Sequence, residues 1–394
     1  MFKGTGKKFI VHALNLNICI KLTNKIHKYN FLIVGAGLIG SLLGLHLLQK
    51  GYKVLVIDKD ISNLKDTRTL AVNANSKDFL INLGLWKKLK SKPQKINKII
   101  IKDYINKDPL IFVNKDEEMG NVIYNNELLS IARRALKSSK SLLAVSTINL
   151  NKLRGNKQIQ FDKDKYFFDQ VVFSFGKKFD NDLLIRKYSL ASTHHAFVGF
   201  FKHTYNHNQV AYEIFTPNGP LAVLPSPDIN NKTSTFIYST KDDLSNASIN
   251  NIIKKNFTKT HGKISLEDTT SQFPITPHIS REKLNQFILI GDTLRSIHPV
   301  AGQGWNLGIK DIQTLSELLE TYGLKNDDLI KKYSRKRALE SFGYLSFTSL
   351  INIMYERRTP LASLAIKFSY NSIKNISFLR NTFIKQAMGR LKLI

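Results

Sequence analysis

Cysteine is almost absent from this chain of 394 residues, where Cys19 is the only one. A disulfide framework and a cysteine-rich metal site are therefore excluded, and a reducing compartment is compatible with the sequence. Long apolar runs are missing too. No stretch reaches the 18 or more consecutive apolar residues that a membrane-spanning helix requires. We therefore expect no spanning helix.

Acidic residues are scarce, with 30 Asp and Glu against 59 Lys and Arg, which gives a formal net charge of +29. Such a charge could favour nucleic acid or an anionic membrane surface. The lysines, however, are spread along the whole chain with many asparagines and isoleucines, which indicates a compositional bias as much as a patch. The sequence has no zinc-finger spacing, no RNP-like motif and no basic–aromatic repeat, so we expect no nucleic-acid partner.

The N-terminal arm, residues 1–29, carries no acid at all, and the first acidic residue is Asp58. A flexible or mis-started extension is the favoured interpretation. A targeting segment is the second, although the arm lacks arginine, serine-rich stretches and a small-residue cleavage site. A helix lying on a membrane surface is the third.

The strongest local motif is FLIVGAGLIGSLLGLHLLQKGYKVLVID, residues 31–58. Its pattern predicts a strand at 31–34, a helix at 41–50 and a second strand at 54–57. Gly35, Gly37 and Gly40 have the G-x-G-x-x-G spacing: the first permits a tight turn, the second lets a pyrophosphate approach the backbone, and the third lets the helix pack on the strand. Asp58, 18 residues after Gly40, can accept the hydroxyls of an adenosine ribose. The motif predicts a dinucleotide site and leaves FAD and NAD(P) both open.

Several segments after this motif have recognisable patterns. Helices are predicted at 76–89 and at 127–137, the second opened by Asn125 or Asn126. A short strand is predicted at 144–150, and a buried parallel strand at 170–173 would return to the nucleotide sheet. Arg68, taken alone, is best explained as a surface partner of Asp66. Alternating apolar segments between 197 and 239 predict an antiparallel sheet in a second domain.

Histidines cluster in this second region, but their pattern matches no standard metal site. His194, His195, His203 and His207 have no carboxylate or cysteine in register with them. Exposed histidines at strand ends are the favoured explanation, and we expect no metal.

A third informative segment covers residues 287–311. A short strand at 287–290 is followed by Asp292, which can accept hydrogen bonds from sugar-type hydroxyls. The turn at 302–308 begins a helix and offers a second anion site, suited to the pyrimidine end of a flavin. A ligand touched both here and at the first glycine turn must be long, and FAD has that length.

With these segments in place, the chain resembles the group A flavoprotein aromatic hydroxylases, and more narrowly the UbiH/UbiF/VisC-type hydroxylases of ubiquinone biosynthesis. The resemblance extends from about residue 31 to residue 389. It is carried by IVGAGLIGSLLGLHL (33–47), DTRTLAVNANSKDFLINLGLW (66–86), AYEIFTPNGPLAVLP (211–225), LIGDTLRSIHPVAGQGWNLGIKD (289–311) and QAMG (386–389).

The resemblance implies a role for each matching residue. Gly35, Gly37 and Gly40 would hold the FAD pyrophosphate, and Asp58 the adenosine ribose. Arg68 would lie near the flavin and pyrophosphate, which reverses the interpretation it receives alone. Asn126 would contact the ribityl region, and Asp292 the ribityl and pyrophosphate portion. The residues expected to line the isoalloxazine ring are Pro299, Gly302, Gly304, Asn306 and Leu307. No catalytic side chain is nominated, because the cofactor carries the hard chemistry.

The implied architecture is α/β, with a Rossmann-like FAD-binding domain, an interleaved antiparallel-sheet substrate domain and a C-terminal helical region. The FAD-binding domain would comprise 30–90, 115–180 and 280–325, and the substrate domain 91–114 and 181–279. Strands near 212–215 and 221–224 would form the roof of an apolar pocket. Residues 326–394 would form basic, aromatic-rich helices, either a packed cap or a surface that docks on a membrane or a partner.

The implied activity is hydroxylation of the aromatic ring of a polyprenylated phenol, with NAD(P)H and dioxygen as co-substrates, through a flavin 4a-hydroperoxide. One departure bears on it: the family usually has an Asp-Gly pair after the strand at 170–173, whereas Phe175 precedes Gly176 here. Two alternatives are therefore retained: a related flavin monooxygenase with another lipid or aromatic substrate, and a non-catalytic flavoprotein scaffold of a quinone-biosynthesis complex. The expected location is the cytoplasm, peripheral to the inner membrane.

Overall fold

A computed structural model describes residues 25–62, 64–66, 68–114, 116–145, 153, 157–161, 164–177, 185–189, 194–267, 270–298, 304–326, 328–357 and 359–391. The helices in this part of the chain are α1 (Leu38–Gln49), α2 (Ala74–Asn82), α3 (Asn125–Ser138), α4 (Asn246–His261), α5 (Gly304–Tyr322), α6 (Leu329–Arg357), α7 (Pro360–Asn375) and α8 (Ser377–Ala387).

The strands of the same residues are β1 (Ile26–Val34), β2 (Val54–Asp58), β3 (Thr69–Val72), β4 (Gln94–Ile96), β5 (Lys98–Asp103), β6 (Leu110–Val113), β7 (Gly120–Tyr124), β8 (Leu142–Ala144), β9 (Gln158–Phe161), β10 (Asp164–Phe173), β11 (Ile185–Ser189), β12 (His195–His203), β13 (Val210–Thr216), β14 (Gly219–Pro225), β15 (Thr233–Thr240), β16 (Ile264–Leu266), β17 (Ser271–Pro274), β18 (His278–Glu282), β19 (Ile288–Leu289) and β20 (Arg295–Ser296).

The first large sheet is the nucleotide sheet, with strand order β19-β10-β1-β2-β8 and β9 antiparallel to β10. The strands along this order are parallel; for example, Phe31 pairs with Val54 on one side and with Gln170 on the other. The predicted return of the strand at 170–173 to this sheet is thus confirmed. Apolar residues of α1, α3 and α5 pack on one face and form a core with the buried strands. The carboxyl ends of β1, β2 and β10 therefore meet at one edge, where parallel sheets bind ligands.

The second large sheet has eight strands, seven of them in the order β16-β12-β15-β14-β13-β5-β6, with β17 paired to β12. The alternating segments predicted between 197 and 239 form its centre. One pair, β5 with β13, is parallel. Strands β5 and β6 come from an earlier part of the chain than the other strands of this sheet. Helix α4 covers one face with Ile249, Ile253 and Phe257. The other face is left for the space between the two large sheets.

Two smaller sheets, β3-β7-β4 and β11-β18-β20, complete the sheets of the described residues. Helices α6, α7 and α8 follow them, as the sequence predicts for the C-terminal region. Tyr333 on α6 donates a hydrogen bond to the Leu289 carbonyl at 3.1 Å. On α8, Phe383 stacks on Phe112 of β6 with ring centroids 4.6 Å apart. The C-terminal helices therefore contact both large sheets, α6 at β19 and α8 at β6.

Three predicted boundaries differ from the structure. The helix predicted at 76–89 covers only Ala74–Asn82, because Gly84, at φ +66°, ends it in a left-handed turn. Its apolar pattern continues only through the short 3-10 turn Trp86–Lys88. Of the arm predicted at 1–29, residues 26–29 belong to β1, and residues 1–24 lie outside the described residues. The strand predicted at 144–150 is Leu142–Ala144, and residues 146–150 also lie outside them.

Candidate active site

The first glycine turn joins β1 to α1 and lies against the end of β10. Gly35 has φ +112°, and a Cβ atom added there would be only 2.1 Å from the Ser174 carbonyl oxygen. Gly40 packs behind it, against the Gly35 carbonyl. Gly37 has open space where its side chain would project, and it precedes α1 without a side-chain cap. The first amide groups of α1 thus face open space, an arrangement that suits an anion.

Asp58 lies at the end of β2, beside the glycine turn. Its Oδ2 accepts a hydrogen bond from the Ala36 amide at 2.6 Å, and its Oδ1 accepts one from the Asp60 amide at 3.1 Å. The Asp58 carboxylate is therefore held in place by the backbone at the adenosine end of the candidate site.

Arg133 also supports this turn, although its position in the sequence did not predict that role. From α3, its Nε donates to the Ala36 carbonyl at 2.9 Å, and its Nη1 donates to the Ile61 carbonyl at 3.0 Å. Burial lowers the pKa of the guanidinium, and the negative charges of Asp58 and Asp60 counter that effect. The sequence indicates a buried arginine only by placing a cation among the apolar residues of α3. Because Arg133 and Arg134 are adjacent, that pattern alone does not say which of them is buried.

Arg68 is both the partner of Asp66 and a residue of the cavity wall. Its Nε and Nη2 donate to the two Asp66 oxygens at 2.7 and 2.6 Å. Its guanidinium carbon also lies 4.9 Å from the centre of the Phe273 ring. Burial alone would raise the pKa of the Asp66 carboxyl, but the hydrogen bonds and charge of Arg68 hold it below its usual value. The pair explains how a cation is fixed at the wall, so the two interpretations of Arg68 are compatible.

A cavity of about 490 Å³ separates the nucleotide sheet from the second sheet. On the nucleotide side it is lined by backbone, glycine and charged groups, including Gly37, Asp58, Arg68, Asp292 and Gly304. The opposite wall consists mainly of apolar side chains from the second sheet and the loop after it: Ala196, Val198, Leu224, Thr235, Ile237, Phe273, Pro274 and Ile275. The volume and the few convergent polar groups are typical of a ligand site.

The loop after β19 carries Asp292 and is supported by a buried ionic network. Gly291 has φ +61°, and its amide donates to Asp311 Oδ2 at 2.9 Å. Asp311 Oδ1 accepts from Arg295 at 2.7 Å and from Arg337 Nε at 2.6 Å. All three of these charged side chains are almost fully buried. The local sequence around Asp311 did not predict this role, because its partners come from β20 and α6, which no local pattern connects.

Asn306 and Leu307, which were expected to line the isoalloxazine ring, lie near the start of α5 and behind the cavity wall. The Asn306 side chain accepts from the Asn73 amide at 3.2 Å and donates to the Ala71 carbonyl at 2.9 Å. Leu307 is buried with Ile297. Both therefore fix the start of α5, where Gly304 and Trp305 reach the cavity. Pro299 and Gly302 lie outside the described residues.

Asn126 does not lie on this cavity. It lines a second, more polar cavity of about 680 Å³ together with Glu127, Asp228 and Glu267, whereas its neighbour Asn125 lines the central one. Asn125 also donates to Asp66 at 2.5 Å. The difference arises because α3 begins at Asn125, which directs successive side chains to different sides of the helix.

The central cavity fits FAD on the features of this chain alone. It has an uncapped helix N-terminus at Gly37 with space for a pyrophosphate, and a fixed carboxylate at Asp58 for a ribose. A second carboxylate, Asp292, and a second helix N-terminus at Gly304 stand farther along the same cavity. A shorter ligand would leave one of these two polar ends unused.

Comparison with known proteins agrees with this fit. A family profile described as "FAD binding domain" matches residues 28–138 and 195–345, well over half of the chain. The chain belongs to the FAD-binding-domain family. The expected cofactor, FAD, and the assignment to the FAD-dependent monooxygenases are thereby confirmed.

Among curated relatives, "Ubiquinone hydroxylase UbiL" of Rhodospirillum rubrum is 26% identical, over 92% of this chain and 90% of its own length. The "3-demethoxyubiquinol 3-hydroxylase" of Escherichia coli is 22% identical, over 91% and 97%. The crystal structure of p-nitrophenol 4-monooxygenase PnpA from Pseudomonas putida DLL-E4 is similar in fold, with a TM-score of 0.73, 13% identity, and coverage of 94% of this chain and 100% of that one. The recognition of ubiquinone-biosynthesis hydroxylases as relatives is confirmed, as is the fold class.

Phe175 occupies a distinctive place in this flavoprotein. It follows β10, stacks on Phe173 with ring centroids 4.9 Å apart, and lines the cavity beside Gly176 and Lys177. The Gly176 amide donates to Thr293 Oγ1 at 3.1 Å. An aromatic ring thus stands at the wall, at the position where the resemblance predicts a carboxylate.

The roof of the pocket differs in detail from the sequence prediction. Leu224 of β14 lines the cavity. Tyr212 and Ile214 of β13 instead pack into the core under α4, where the Tyr212 ring meets Phe257. The roof comes mainly from β12, β15 and β17. Successive side chains of a strand point to opposite faces of the sheet, and the register sets Tyr212 and Ile214 on the face that α4 covers.

The histidines of the second domain are not arranged as metal ligands. In the part of the chain that the structure describes, no group of three or more His, Cys, Asp or Glu side chains could hold a metal ion. His203 and His207 are buried rather than exposed at strand ends, and His261 joins them, with 4.6 Å between the His203 and His261 ring centroids. They form a packed aromatic cluster on the α4 side of the sheet.

Proposed function

We propose that this flavoprotein hydroxylates the aromatic ring of a polyprenylated phenol in ubiquinone biosynthesis, with dioxygen as the oxygen source and NAD(P)H as the electron donor. In balance, the phenol, dioxygen, NAD(P)H and one proton give the hydroxylated phenol, water and NAD(P)⁺. The observation that carries the proposal is the cavity between the two sheets. It has a polar wall suited to FAD and an apolar wall suited to a prenylated ring.

The residues of the chain would act by binding and orientation. Gly35, Gly37 and Gly40 would let the pyrophosphate lie against the first turn of α1, and Asp58 would take the adenosine ribose. Asp292 would take the ribityl hydroxyls, on a loop that Asp311 fixes through the Gly291 amide. When bound, FAD supplies the redox chemistry that activates dioxygen.

The apolar wall would exclude water and align the ring. Val198, Ile237 and Ile275 offer no hydrogen bonds from their side chains, so they would favour a prenylated aromatic over a polar metabolite. Thr235 is the polar exception, with its hydroxyl 2.7 Å from Ser226 Oγ and 3.2 Å from Thr69 Oγ1. The hydroxyls of Thr235 and Thr69, which both line the cavity, are suited to orient a phenol oxygen without ionising it.

Lipid mass spectrometry of a deletion strain tests the proposed reaction. We expect less ubiquinone and accumulation of an under-hydroxylated prenyl phenol, whose structure would name the ring position. The purified protein should carry flavin absorbance, and the accumulated phenol should stimulate its NAD(P)H oxidation. Unchanged quinone levels, or oxidation that only a different class of phenol or lipid stimulates, would contradict the proposal and favour a related monooxygenase.

Phe175 favours one alternative, a flavoprotein scaffold within a quinone-biosynthesis complex. An Asp292→Ala protein separates the two functions, because it impairs the flavin site without removing the chain. We expect this variant to leave quinone synthesis as low as in the deletion strain. Normal quinone levels with the variant, but not with the deletion, would instead support the scaffold. In either case we place the protein in the cytoplasm, at the inner membrane where prenylated substrates reside.

A further inference from the structure

The last three helices expose an unusual number of large apolar side chains. We call this surface the helical docking face. Its apolar members are Leu339, Phe342, Phe347, Leu350 and Ile353 on α6, Leu361, Leu364 and Phe368 on α7, and Ile376, Phe378 and Leu379 at the start of α8. Their exposed fractions run from 37% for Leu379 to 77% for Leu361. So many large apolar side chains exposed within three consecutive helices indicate an interaction surface.

The helical spacing places these side chains on outward faces. On α7, Leu361, Leu364 and Phe368 recur at intervals of three and four residues, which puts them on one side of the helix. Ile366 and Tyr370, on the other side, are 6% exposed each. Helix α7 therefore has apolar residues on two sides, and the rest of the described chain covers only one of them.

The same is true of α6. Ser341, Leu345 and Thr348 are buried against the body of the protein, while Leu339 and Leu350 point away from it. Along that outward side the helix begins with the exposed bases Lys331, Lys332 and Arg335, and it becomes apolar from Leu339 onward. A basic band thus borders the apolar surface.

Charge identifies the kind of partner. From Ser341 to the C-terminus the only acidic residue is Glu356, and it is held by His194 at 2.6 Å and by Lys241 at 3.1 Å. Exposed bases on the face include Lys367 and Lys385. A second copy of the chain would bring the same positive charge and repel. An apolar surface with a basic border is complementary to a bilayer that contains anionic phospholipids.

We propose that α6, α7 and α8 dock this protein onto the surface of an anionic phospholipid bilayer, with Leu361, Leu364 and Phe368 inserted among the lipids. Within the described residues, no helix is long and apolar enough to cross a membrane. The helices therefore lie along the interface. The proposal is independent of the reaction, since it concerns a surface apart from the central cavity.

Vesicle co-sedimentation of the full-length, FAD-loaded protein tests this surface. We expect binding to phosphatidylcholine vesicles that contain about 30% phosphatidylglycerol at about 0.1 M salt, and at least about tenfold weaker binding to phosphatidylcholine alone or at about 0.5 M salt. Replacing Leu361→Gln, Leu364→Gln and Phe368→Gln together should weaken binding about 100-fold, because three buried apolar side chains are lost.

The matched control replaces three exposed apolar or aromatic side chains of the second domain and its neighbourhood, Tyr188→Gln, Tyr205→Gln and Ile229→Gln. It should bind vesicles like the unaltered protein. All variants should keep their flavin absorbance and circular dichroism, because the altered residues are exposed. Equal vesicle binding by the α7 variant and the control would overturn the proposal. So would a failure of the unaltered protein to bind anionic vesicles, or an oligomer that only the α7 changes dissociate. Turnover is not the readout, so failure here leaves the proposed reaction unaffected.

Discussion

On one side of the central cavity the lining comes from strand ends, glycine turns and ionic groups; on the other it comes from side chains on the face of the eight-stranded sheet. The nucleotide side fixes its geometry by hydrogen bonds to backbone, such as Asp58 to Ala36 and Asp311 to Gly291. The second side fixes its geometry by strand register and by packing under α4. The cofactor wall is thus specified by directional contacts, and the substrate wall by shape.

The two halves also bury titratable groups differently. In the nucleotide half, buried charges are paired, as in Asp311 with Arg295 and Arg337. In the second half, His207 and His261 are buried and form no ion pair with any residue that the structure describes, and burial lowers their pKa values to about 4 and about 3. The stability of the nucleotide half therefore requires its buried groups to stay ionised, whereas that of the second half requires its buried histidines to stay neutral.

Removal of the central carboxylate should give the largest effect. Asp311→Ala would remove the carboxylate that pairs with Arg295, leave Arg337 with Glu340 as its remaining carboxylate, and free the Gly291 amide. We expect a loss of about 3–5 kcal/mol in the free energy of unfolding, because breaking a buried ion pair leaves an uncompensated charge. Urea denaturation monitored by circular dichroism measures it.

The matched control for this variant is Asp328→Ala. Asp328 forms an exposed pair with Lys331 at 3.5 Å, so its loss should cost less than about 1 kcal/mol. Similar losses in both variants would show that the buried network does not support the cofactor wall.

Acidification should lower the free energy of unfolding through the buried histidines His207 and His261 beside the second large sheet. Both histidines have folded-state pKa values below the ordinary 6.5, so the unfolded chain takes up protons that the folded chain does not. Stability is therefore retained above about pH 6.5 and falls as the pH drops toward about 4 for His207 and about 3 for His261. At pH 5 each histidine should account for about 2 kcal/mol of lost stability.

Denaturation midpoints at pH 7.5 and pH 5 measure this loss. His261→Phe should flatten the dependence, because the ring packs among Phe201, Tyr212 and Phe257 and the substitution removes the titrating group. An unchanged pH slope in the variant would place the acid sensitivity elsewhere.

The cofactor wall was more predictable from sequence than the rest of the site, for a physical reason. The turn at Gly35–Gly40 and the strand before it are local, so residue spacing encodes their geometry. The Asp311 network and the Arg133 contact join elements far apart in the chain, and the periodicity of the sequence does not predict such pairs. The roof of the pocket depends on which face of each strand turns inward, and the parallel β5–β13 pair shows that neighbouring strands need not be consecutive.

Gly35 and Gly37 should be required for different reasons, the first for the backbone conformation of the turn and the second for binding of the cofactor. Gly35→Ala should cost about 2 kcal/mol or more, because φ is +112° and the new Cβ would overlap the Ser174 carbonyl. Gly37→Ala should change stability by less than about 0.5 kcal/mol, since its Cβ would meet only open space. It should nevertheless lower FAD affinity about tenfold or more, because that space would receive the pyrophosphate.

Unfolding of the apoprotein and a fluorescence titration with FAD distinguish the two glycine variants. Each measurement is a control for the other, because the same methyl group is added two residues apart. Unchanged FAD affinity in Gly37→Ala would show that the pyrophosphate does not bind at this turn.

The substrate wall should give the smallest and most selective effect. Val198 lines the cavity from β12, and Val198→Thr keeps its shape while adding a hydroxyl. We expect a KM for the phenol about five- to tenfold higher, equivalent to about 1 kcal/mol, with FAD affinity unchanged. Val113→Thr on β6, where the side chain is 42% exposed, is the matched control and should leave both quantities unchanged. Weaker FAD binding with an unaltered KM in Val198→Thr would assign this wall to the cofactor, and the contrast between a directional wall and a shape-defined wall would not hold.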